Sequence, residues 1–230
     1  MRSPLFVGAG TAIITPFTDT GVNYPVLAEF IEFQIKNKID AIVVCGTTGE
    51  SSTMPDAEHI ETIRFTVNKV NKRVPVIAGT GSNDTKHAID LSRAAESVGA
   101  DGLLHVTPYY NKATQRGLYR HFKMIADSVK LPIILYNVPG RTTVNINPDT
   151  VKALSEIDNI IGIKECNFSQ VGDIVNLCGP DFSVYSGEDA LVMPLLSVGG
   201  KGVISVMGNI IPRDTRDIVA KFFAGDVKGA

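Results

Sequence analysis

Cysteine is scarce in this chain of 230 residues, and its positions exclude a disulfide framework. The three cysteines, Cys45, Cys166 and Cys178, are odd in number and form no CxxC pair. The sequence also shows no signal peptide and no hydrophobic run long enough for a membrane span. We therefore expect reduced thiols in a cytoplasmic protein, and each cysteine is interpreted as a small core residue.

Histidine and an excess of either charge are also scarce. The four histidines (His59, His87, His105 and His121) lie far apart without metal-ligand spacing, so no metal site is predicted. The 22 basic and 24 acidic residues leave a net charge of −2, and no run of Lys or Arg is present. These features argue against a nucleic-acid partner and against binding to an anionic membrane surface.

Short apolar runs alternate with longer amphipathic segments along the whole sequence. The short runs are rich in Val, Ile and Leu, which is typical of strands buried on both faces. The predicted strands are Ala12–Thr15, Ala41–Cys45, Val74–Ala78, Gly102–Val106, Ile133–Asn137, Ile160–Lys164, Ser183–Ser186 and Gly202–Val206. The predicted helices are Pro25–Lys38, Pro55–Asn71, Asp84–Val98, Thr114–Val129, Pro148–Glu156, Gln170–Leu177, Asp189–Ser197 and Pro212–Ala224.

This alternation indicates an α/β protein with a closed parallel (β/α)₈ TIM barrel. A doubly wound open sheet is the alternative, but such sheets rarely contain eight evenly spaced units. No linker, low-complexity stretch or charge run divides the sequence. We therefore expect residues 1–230 to form a single barrel domain, since barrels of about 250 residues commonly form one domain.

The active site of such a barrel lies at the carboxyl ends of the strands. Lys164 ends the sixth predicted strand, which brings an ammonium group to the barrel mouth. A buried ammonium without a counter-charge loses its proton readily and becomes a nucleophile toward carbonyl groups. The alternatives are an ion pair with Glu165 or a lysine that extends to solvent at the rim.

Two other strand ends carry hydroxyl groups. Tyr136 lies at a similar height to Lys164, where a phenol can transfer protons, although packing alone also explains a barrel tyrosine. Thr47 and Thr48 lie between glycines just ahead of a helix. Such a loop suits a small carboxylate because it offers free N–H groups and hydroxyls. A plain glycine-rich turn explains the same residues equally well.

Five motifs together resemble the dihydrodipicolinate synthase/N-acetylneuraminate lyase family. They are GTTGES (Gly46–Ser51), TPYYNKATQ (Thr107–Gln115), LYNVPGRT (Leu135–Thr142), GIKE (Gly162–Glu165) and GVISV (Gly202–Val206). Their order and spacing match the synthase branch along the whole chain. Two differences stand out: Ala113 occupies a position where the family usually has proline, and the C-terminal helical extension of the family is missing from this sequence.

The resemblance implies a lyase of the class I aldolase type that uses no metal and no organic cofactor. Lys164 would form a Schiff base with pyruvate, and Tyr136 would donate and accept protons beside it. Thr47 would link Tyr136 to Tyr110, which reaches in from a neighbouring subunit. The family forms homotetramers built as dimers of tight dimers, so we expect a homo-oligomer that is at least a dimer.

The resemblance also implies residues that bind the two substrates. Thr47 and Thr48 would hold the pyruvate carboxylate, and the Val206 carbonyl would lie close to pyruvate. Arg141 would bind the carboxylate of L-aspartate 4-semialdehyde. The product would be 4-hydroxy-tetrahydrodipicolinate, on the route to diaminopimelate and lysine.

Alternatives remain at the level of function. An N-acetylneuraminate lyase or a keto-deoxy sugar acid aldolase would share the barrel and the lysine, but Arg141 and the paired threonines favour the synthase. A barrel without catalysis that serves as a ligand-binding or structural subunit is the alternative of another class. In such a barrel the lysine or the tyrosine would be among the first residues lost, and both are present.

Regulated members of the family bind L-lysine at the tight-dimer interface, and the resemblance implies a matching site here. Its residues would be Ser51, Asp56, His59, Asn83, His87 and Tyr109. His87 stands where a glutamate is expected to face the lysine ammonium group. We therefore expect free lysine to inhibit weakly or not at all, unless the Asp56 carboxylate replaces the missing acid.

Overall fold

The computed structural model describes residues 3–230, in which eight parallel strands form a closed barrel. The strands are β1 (Gly8–Ala12), β2 (Ala41–Val44), β3 (Val76–Gly79), β4 (Gly102–Val106), β5 (Ile133–Asn137), β6 (Ile160–Glu165), β7 (Ser183–Ser186) and β8 (Gly202–Ser205). Strand β1 pairs with both β8 and β2, which closes the barrel. The barrel predicted from the sequence is confirmed.

The helices that follow the strands surround the barrel. They are α1 (Tyr24–Lys36), α2 (Asp56–Val70), α3 (Thr85–Ser97), α4 (Gln115–Ala126), α5 (Pro148–Ser155), α6 (Val171–Cys178), α7 (Val192–Ser197) and α8 (Pro212–Phe223). Side-chain caps mark where three of them begin: the side chains of Asn23, Asp84 and Thr114 accept hydrogen bonds from first-turn N–H groups of α1, α3 and α4, respectively. Among the described residues, no helix combines the length and the apolar character that a membrane crossing needs.

Two apolar layers stabilise this arrangement. An outer layer packs between the strands and the helices, and an inner layer fills the barrel. In the inner layer, Phe6 stacks on Tyr185 with ring centroids 4.5 Å apart, and the Tyr185 hydroxyl donates a hydrogen bond of 2.7 Å to the Phe6 carbonyl. The inner layer leaves the C-terminal ends of the strands for polar side chains.

The predicted bounds of β4, β5 and β7 match the structure, but the first strand was predicted wrongly. It covers Gly8–Ala12 and not Ala12–Thr15. The sequence does not show this strand as an apolar run because it contains Gly8 and Gly10. A Cβ at Gly8 would lie 2.0 Å from the Asp40 carboxylate, and one at Gly10 would lie 3.1 Å from the Phe6 ring. Close packing therefore replaces the apolar side chains by which a buried strand is recognised.

Several other local features differ from the prediction. The segment predicted as the helix Asp189–Ser197 begins with a 3₁₀ turn over Asp189–Leu191 before α7. A hairpin of Phe17–Thr18 with Gly21–Val22 and a helical turn over Pro139–Thr142 were not predicted. Such short elements are hard to find because they do not complete one hydrophobic period.

Two histidines are buried around β4. His105 Nε2 lies 3.1 Å from Thr80 Oγ1 and 3.2 Å from Ser92 Oγ, and His121 Nδ1 lies 2.9 Å from Thr85 Oγ1. Burial lowers the pKa of His105 to about 3, an effect that the neighbouring His121 reinforces. Burial likewise lowers the pKa of His121 to about 4. Both imidazoles are therefore neutral in the folded protein near pH 7.

We expect the contribution of His105 and His121 to the free energy of unfolding to fall as the pH decreases from about 6.5, the ordinary histidine pKa, toward about 4. Across that range these two histidines bind protons in the unfolded chain but not in the folded one, so their titration favours unfolding in acid. The change His105→Leu should reduce this dependence, because it removes one of the two groups. Denaturant unfolding of both proteins at several pH values measures the difference. Parallel pH dependences would contradict the prediction.

Candidate active site

Lys164 and Tyr136 lie side by side at the C-terminal end of the barrel. They are register partners on β6 and β5, and the Lys164 Nζ is 4.3 Å from the centroid of the Tyr136 ring. Both side chains are buried, with exposed fractions of 5% and 6%. The structure thus brings together the two residues that the sequence singled out for the chemistry, an amine and a phenol.

The burial of Lys164 changes its acidity. Desolvation lowers its pKa to about 8, although Cys166, Asp189 and Glu188 oppose the shift and Arg141 adds to it. A substantial fraction of the amine is therefore neutral at mildly alkaline pH, as a nucleophilic lysine requires.

Glu165 does not pair with Lys164. Consecutive side chains of a strand point to opposite faces, and Glu165 faces outward, where its carboxylate accepts hydrogen bonds from Asn137, Asn167 and Gln170. The alternative interpretation of Lys164 as half of a Lys164–Glu165 ion pair is therefore wrong, and the low exposure of Lys164 also excludes a rim lysine.

The thiol of Cys166 is a component of the site that the sequence analysis missed. It was interpreted as a core residue, but it is only half-buried and lies against the Tyr136 phenol and Gly187. A Cβ at Gly187 would lie 2.3 Å from Cys166 Sγ and 3.2 Å from Lys164 Cε, so only glycine fits there. The signal in the sequence was the position of Cys166, two residues beyond Lys164. Burial raises the pKa of the thiol to about 12.

Asp189 fixes the backbone after β8 and was also missed. Its carboxylate accepts from Ser205 Oγ at 2.5 Å, from Val206 N at 3.1 Å and from Met207 N at 2.9 Å. The Val206 carbonyl accepts from Asn209 N at 3.1 Å and from Asn209 Nδ2 at 3.0 Å. Val206 follows the end of β8 and is not part of the strand, and its backbone is held at the barrel mouth.

The loop after β2 carries Thr47 and Thr48. The Thr15 hydroxyl donates a 2.7 Å hydrogen bond to the Gly49 carbonyl, which ties the loop to the segment after β1. Thr47 and Tyr136 line one small cavity. Tyr110 lies elsewhere: its side chain is 90% exposed, so within one chain it does not enter the site.

Arg141 lies on the helical turn Pro139–Thr142, and its side chain is exposed. It lines a cavity of about 380 Å³ together with Thr47, Val138 and Thr142. Its positive charge lowers the pKa values of Tyr136 and Lys164, so the guanidinium acts on the reacting groups through space. A carboxylate bound in this cavity would meet the cation of Arg141.

The residues of the predicted lysine site border the same cavity or lie next to it. Those in its lining are Ser51, Asp56, His59, His87 and Tyr109, and the Asn83 side chain donates to the Tyr109 carbonyl at 3.2 Å.

Two histidines of this set already have partners. His87 Nε2 lies 3.0 Å from Asp56 Oδ1, and His87 Nδ1 lies 3.2 Å from Ser82 Oγ. His59 is buried, with Nε2 2.8 Å from the Gly79 carbonyl. The Asp56 carboxylate is therefore engaged by the imidazole that replaces the expected glutamate. Within residues 3–230, no group of three or more His, Cys, Asp or Glu side chains could hold a metal ion.

A parallel (β/α)₈ barrel whose sixth strand presents a buried lysine beside a tyrosine has the architecture of a class I aldolase. The chain belongs to the dihydrodipicolinate synthetase family, whose sequence model matches residues 5–230. The family predicted from the five motifs is confirmed.

Relatives and solved structures agree with this assignment. A 4-hydroxy-tetrahydrodipicolinate synthase of Acetivibrio thermocellus is 67% identical over 228 residues, which cover 99% of this chain and 78% of that protein. One from Caldicellulosiruptor saccharolyticus is 57% identical over 230 residues, again 99% of this chain and 78% of that protein. The crystal structure of dihydrodipicolinate synthase from Aquifex aeolicus superposes with a TM-score of 0.95 at 48% identity, covering 98% of this chain and 78% of that one. These names favour the synthase over the lyase and sugar-acid aldolase alternatives.

Proposed function

We propose that this enzyme condenses pyruvate with L-aspartate 4-semialdehyde to give 4-hydroxy-tetrahydrodipicolinate, in the biosynthesis of diaminopimelate and lysine. The observation that carries the proposal is the buried Lys164 amine, whose pKa is lowered to about 8 and whose Nζ lies 4.3 Å from the Tyr136 ring centroid. The names of the relatives support this pair of substrates.

Lys164 starts the reaction as a nucleophile. Its neutral amine adds to the ketone carbon of pyruvate, and the carbonyl oxygen leaves as water after it takes up protons, which gives an imine to Nζ. The protonated imine withdraws electrons more strongly than the ketone did, so the adjacent methyl group loses a proton and an enamine forms. The enamine carbon then attacks the aldehyde carbon, the aldehyde oxygen takes up a proton, and the imine to Nζ is restored. The amino group of the second substrate attacks that imine carbon and closes the ring, and the Lys164 nitrogen leaves as the free amine. Every one of these steps can proceed without a metal or an organic cofactor.

Tyr136 transfers the protons in this scheme. Burial raises the pKa of its phenol, so the group is protonated at neutral pH and can donate when a carbonyl oxygen gains negative charge. A phenol that donates must be reprotonated, and Thr47, in the same small cavity, is suitably placed to relay a proton. We infer that the exposed Tyr110 completes the relay from a second copy of the chain, in a tetramer built as a dimer of dimers.

The substrate carboxylates have separate binding groups. We assign the pyruvate carboxylate to the backbone and hydroxyls of Thr47 and Thr48, with the Val206 carbonyl beside the bound molecule. Arg141 is assigned to the carboxylate of the aldehyde, because its guanidinium is exposed to the cavity and can form two parallel hydrogen bonds to a carboxylate.

The first prediction concerns the covalent intermediate. Borohydride with pyruvate should add the mass of one reduced pyruvyl group to the peptide that contains Lys164, and the adduct should be absent from Lys164→Ala. A matched control is Lys152→Ala, which removes a partly exposed lysine of α5 and should leave the adduct intact. Trapping should quicken as the pH rises toward about 8 and then level off, because only the neutral amine reacts. An adduct on any other lysine would refute the assignment.

The second prediction separates the two substrates. Arg141→Ala should raise KM for the aldehyde roughly tenfold to a hundredfold, the usual effect of losing a charge-assisted partner, while KM for pyruvate changes much less. Arg120→Ala, on the exposed face of α4, is the control and should change neither value. Equal increases in KM for both substrates after Arg141→Ala would instead show that Arg141 stabilises the helical turn on which it lies.

The third prediction concerns regulation by the end product. Free L-lysine should inhibit weakly or not at all, because the Asp56 carboxylate already pairs with His87 at 3.0 Å. His87→Glu should introduce inhibition, with affinity gained roughly tenfold to a hundredfold from the restored acid. His87→Gln is the matched control, since it removes the imidazole without adding a carboxylate. Sub-millimolar inhibition of the unaltered enzyme would show that Asp56 serves as the acid.

A further inference from the structure

The register pair that follows Tyr136 and Lys164 is Asn137 with Glu165. It faces outward, away from the reacting side chains, and both residues are buried. Asn137 Nδ2 donates a hydrogen bond of 2.8 Å to Glu165 Oε1. The reacting pair and this outward pair are therefore adjacent rungs of the same two strands, so a displacement of one displaces the other.

Other amides extend the outward pair into a network. Gln170 Nε2 donates to Glu165 Oε2 at 2.9 Å, and the Asn167 backbone N–H donates to Glu165 Oε1 at 2.7 Å. Asn145 joins the two sides: its Oδ1 accepts from Asn137 Nδ2 at 2.8 Å, and its Nδ2 donates to Gln170 Oε1 at 2.9 Å. The network links the end of β5, the end of β6 and the loop between them.

The same network holds the backbone of one residue in that loop through both its N–H and its carbonyl group. The Ile146 N–H donates to Asn137 Oδ1 at 3.0 Å, and the Ile146 carbonyl accepts from Gln170 Nε2 at 3.0 Å. Ile146 follows the helical turn that carries Arg141 by four residues. The network consequently constrains the lysine strand, the tyrosine strand and the arginine loop at once.

Two hydrogen bonds of the network, from Asn137 and from Gln170, have a direction that matches an ionised Glu165. Asn137 and Gln170 each use both amide hydrogens, and one hydrogen of each is directed at the Glu165 carboxylate. An ionised carboxylate only accepts, whereas an amide both donates and accepts. With an acceptor-only group at this position, each neighbouring amide has one orientation that satisfies all its partners. Buried networks of this kind are rigid when fully satisfied and costly when they are not.

We propose that Glu165 is a positioning residue, whose ionised carboxylate orients the amide network and thereby holds Lys164, Tyr136 and Arg141 in their reactive arrangement. The proposal rests on the proposed function, because it takes those three residues as the groups that act on the substrates. Glu165 itself does not touch the substrates and acts through Asn137 and Gln170.

Acid should disturb this arrangement. Burial raises the pKa of Glu165 to about 7, although the hydrogen bonds from Asn167, Gln170 and Asn137 favour the ionised form. The groups that face the carboxylate from β5, from the loop and from the start of α6 are amides, and the titratable neighbour is the Cys166 thiol. A proton on Glu165 would turn one acceptor into a donor and set it against an N–H group.

The pH profile of kcat/KM for pyruvate therefore reports two groups. Below about 8 the activity falls because Lys164 gains a proton, and below about 7 it falls more steeply because Glu165 gains one. The logarithm of kcat/KM should approach a slope of two on the acid side, since each group contributes about one unit of slope.

The test is Glu165→Gln, which keeps the size of the side chain but adds donors. We expect kcat to fall roughly tenfold to a hundredfold, the cost of a small misplacement of reacting groups, and the acid slope to fall from two to one. Gln115→Ala is the matched control. Gln115 holds the same loop through the Asn145 carbonyl and the Asn147 N–H, whereas the hydrogen bonds to Glu165 come from other residues, so this variant should keep both kcat and the slope.

The outcomes separate the two proposals. Pyruvate trapping on Lys164 of the unaltered enzyme tests the proposed function, and it is independent of Glu165. If trapping succeeds while Glu165→Gln keeps the unaltered kcat and a slope of two, the positioning role is refuted. A loss of kcat as large in Gln115→Ala refutes it too, because any anchor of the loop would then suffice. If Glu165→Gln does not fold, Asn145→Ala is tested in its place, because Asn145 is partly exposed and joins both sides of the network. An unchanged kcat in Asn145→Ala would then overturn the proposal.

Discussion

The arrangement of the site depends on the cost of placing an ammonium group inside the barrel. Lys164 is buried beside the Tyr136 ring, and the acids Asp189 and Glu188 act on its pKa only through space. Desolvation therefore outweighs attraction, and the amine loses its proton more easily than a lysine in water. Had Glu165 faced inward, an ion pair would have kept the ammonium charged. The alternation of side chains along β6 thus separates the nucleophile from the acid that follows it in sequence.

Buried polar groups have a different purpose on each side of β5 and β6. Inside the barrel, few hydrogen bonds reach Lys164, which leaves the amine reactive. Outside it, the amides around Glu165 use their hydrogen-bonding capacity almost completely. The loosely bonded groups are the ones assigned to the chemistry, and the fully bonded groups adjoin them and hold the backbone. Active sites are commonly organised in this way, with reactive groups that make few hydrogen bonds held by neighbouring residues that are rigidly hydrogen-bonded.

The sequence predicted the barrel because most of its strands are apolar runs. It predicted that Lys164 and Tyr136 lie next to each other because the C-terminal ends of parallel strands meet at the same end of the barrel. The first strand escaped recognition since Gly8 and Gly10 replace apolar side chains where Asp40 and Phe6 approach. Asp189 escaped for another reason. Its role comes from distances across the barrel mouth, those to Ser205 and Val206, and no local pattern encodes such distances.

The protonated thiol of Cys166 has a consequence for the second substrate. Thiolates add rapidly to aldehydes and would capture the semialdehyde as a hemithioacetal, in competition with carbon–carbon bond formation. Burial raises the pKa of Cys166 to about 12, which keeps the sulfur a poor nucleophile at physiological pH even though it lies beside Tyr136. Desolvation thus has opposite effects on two neighbouring nucleophiles, because it favours the neutral form of each. The neutral amine of Lys164 is reactive, whereas the neutral thiol of Cys166, two residues further along the chain, is not.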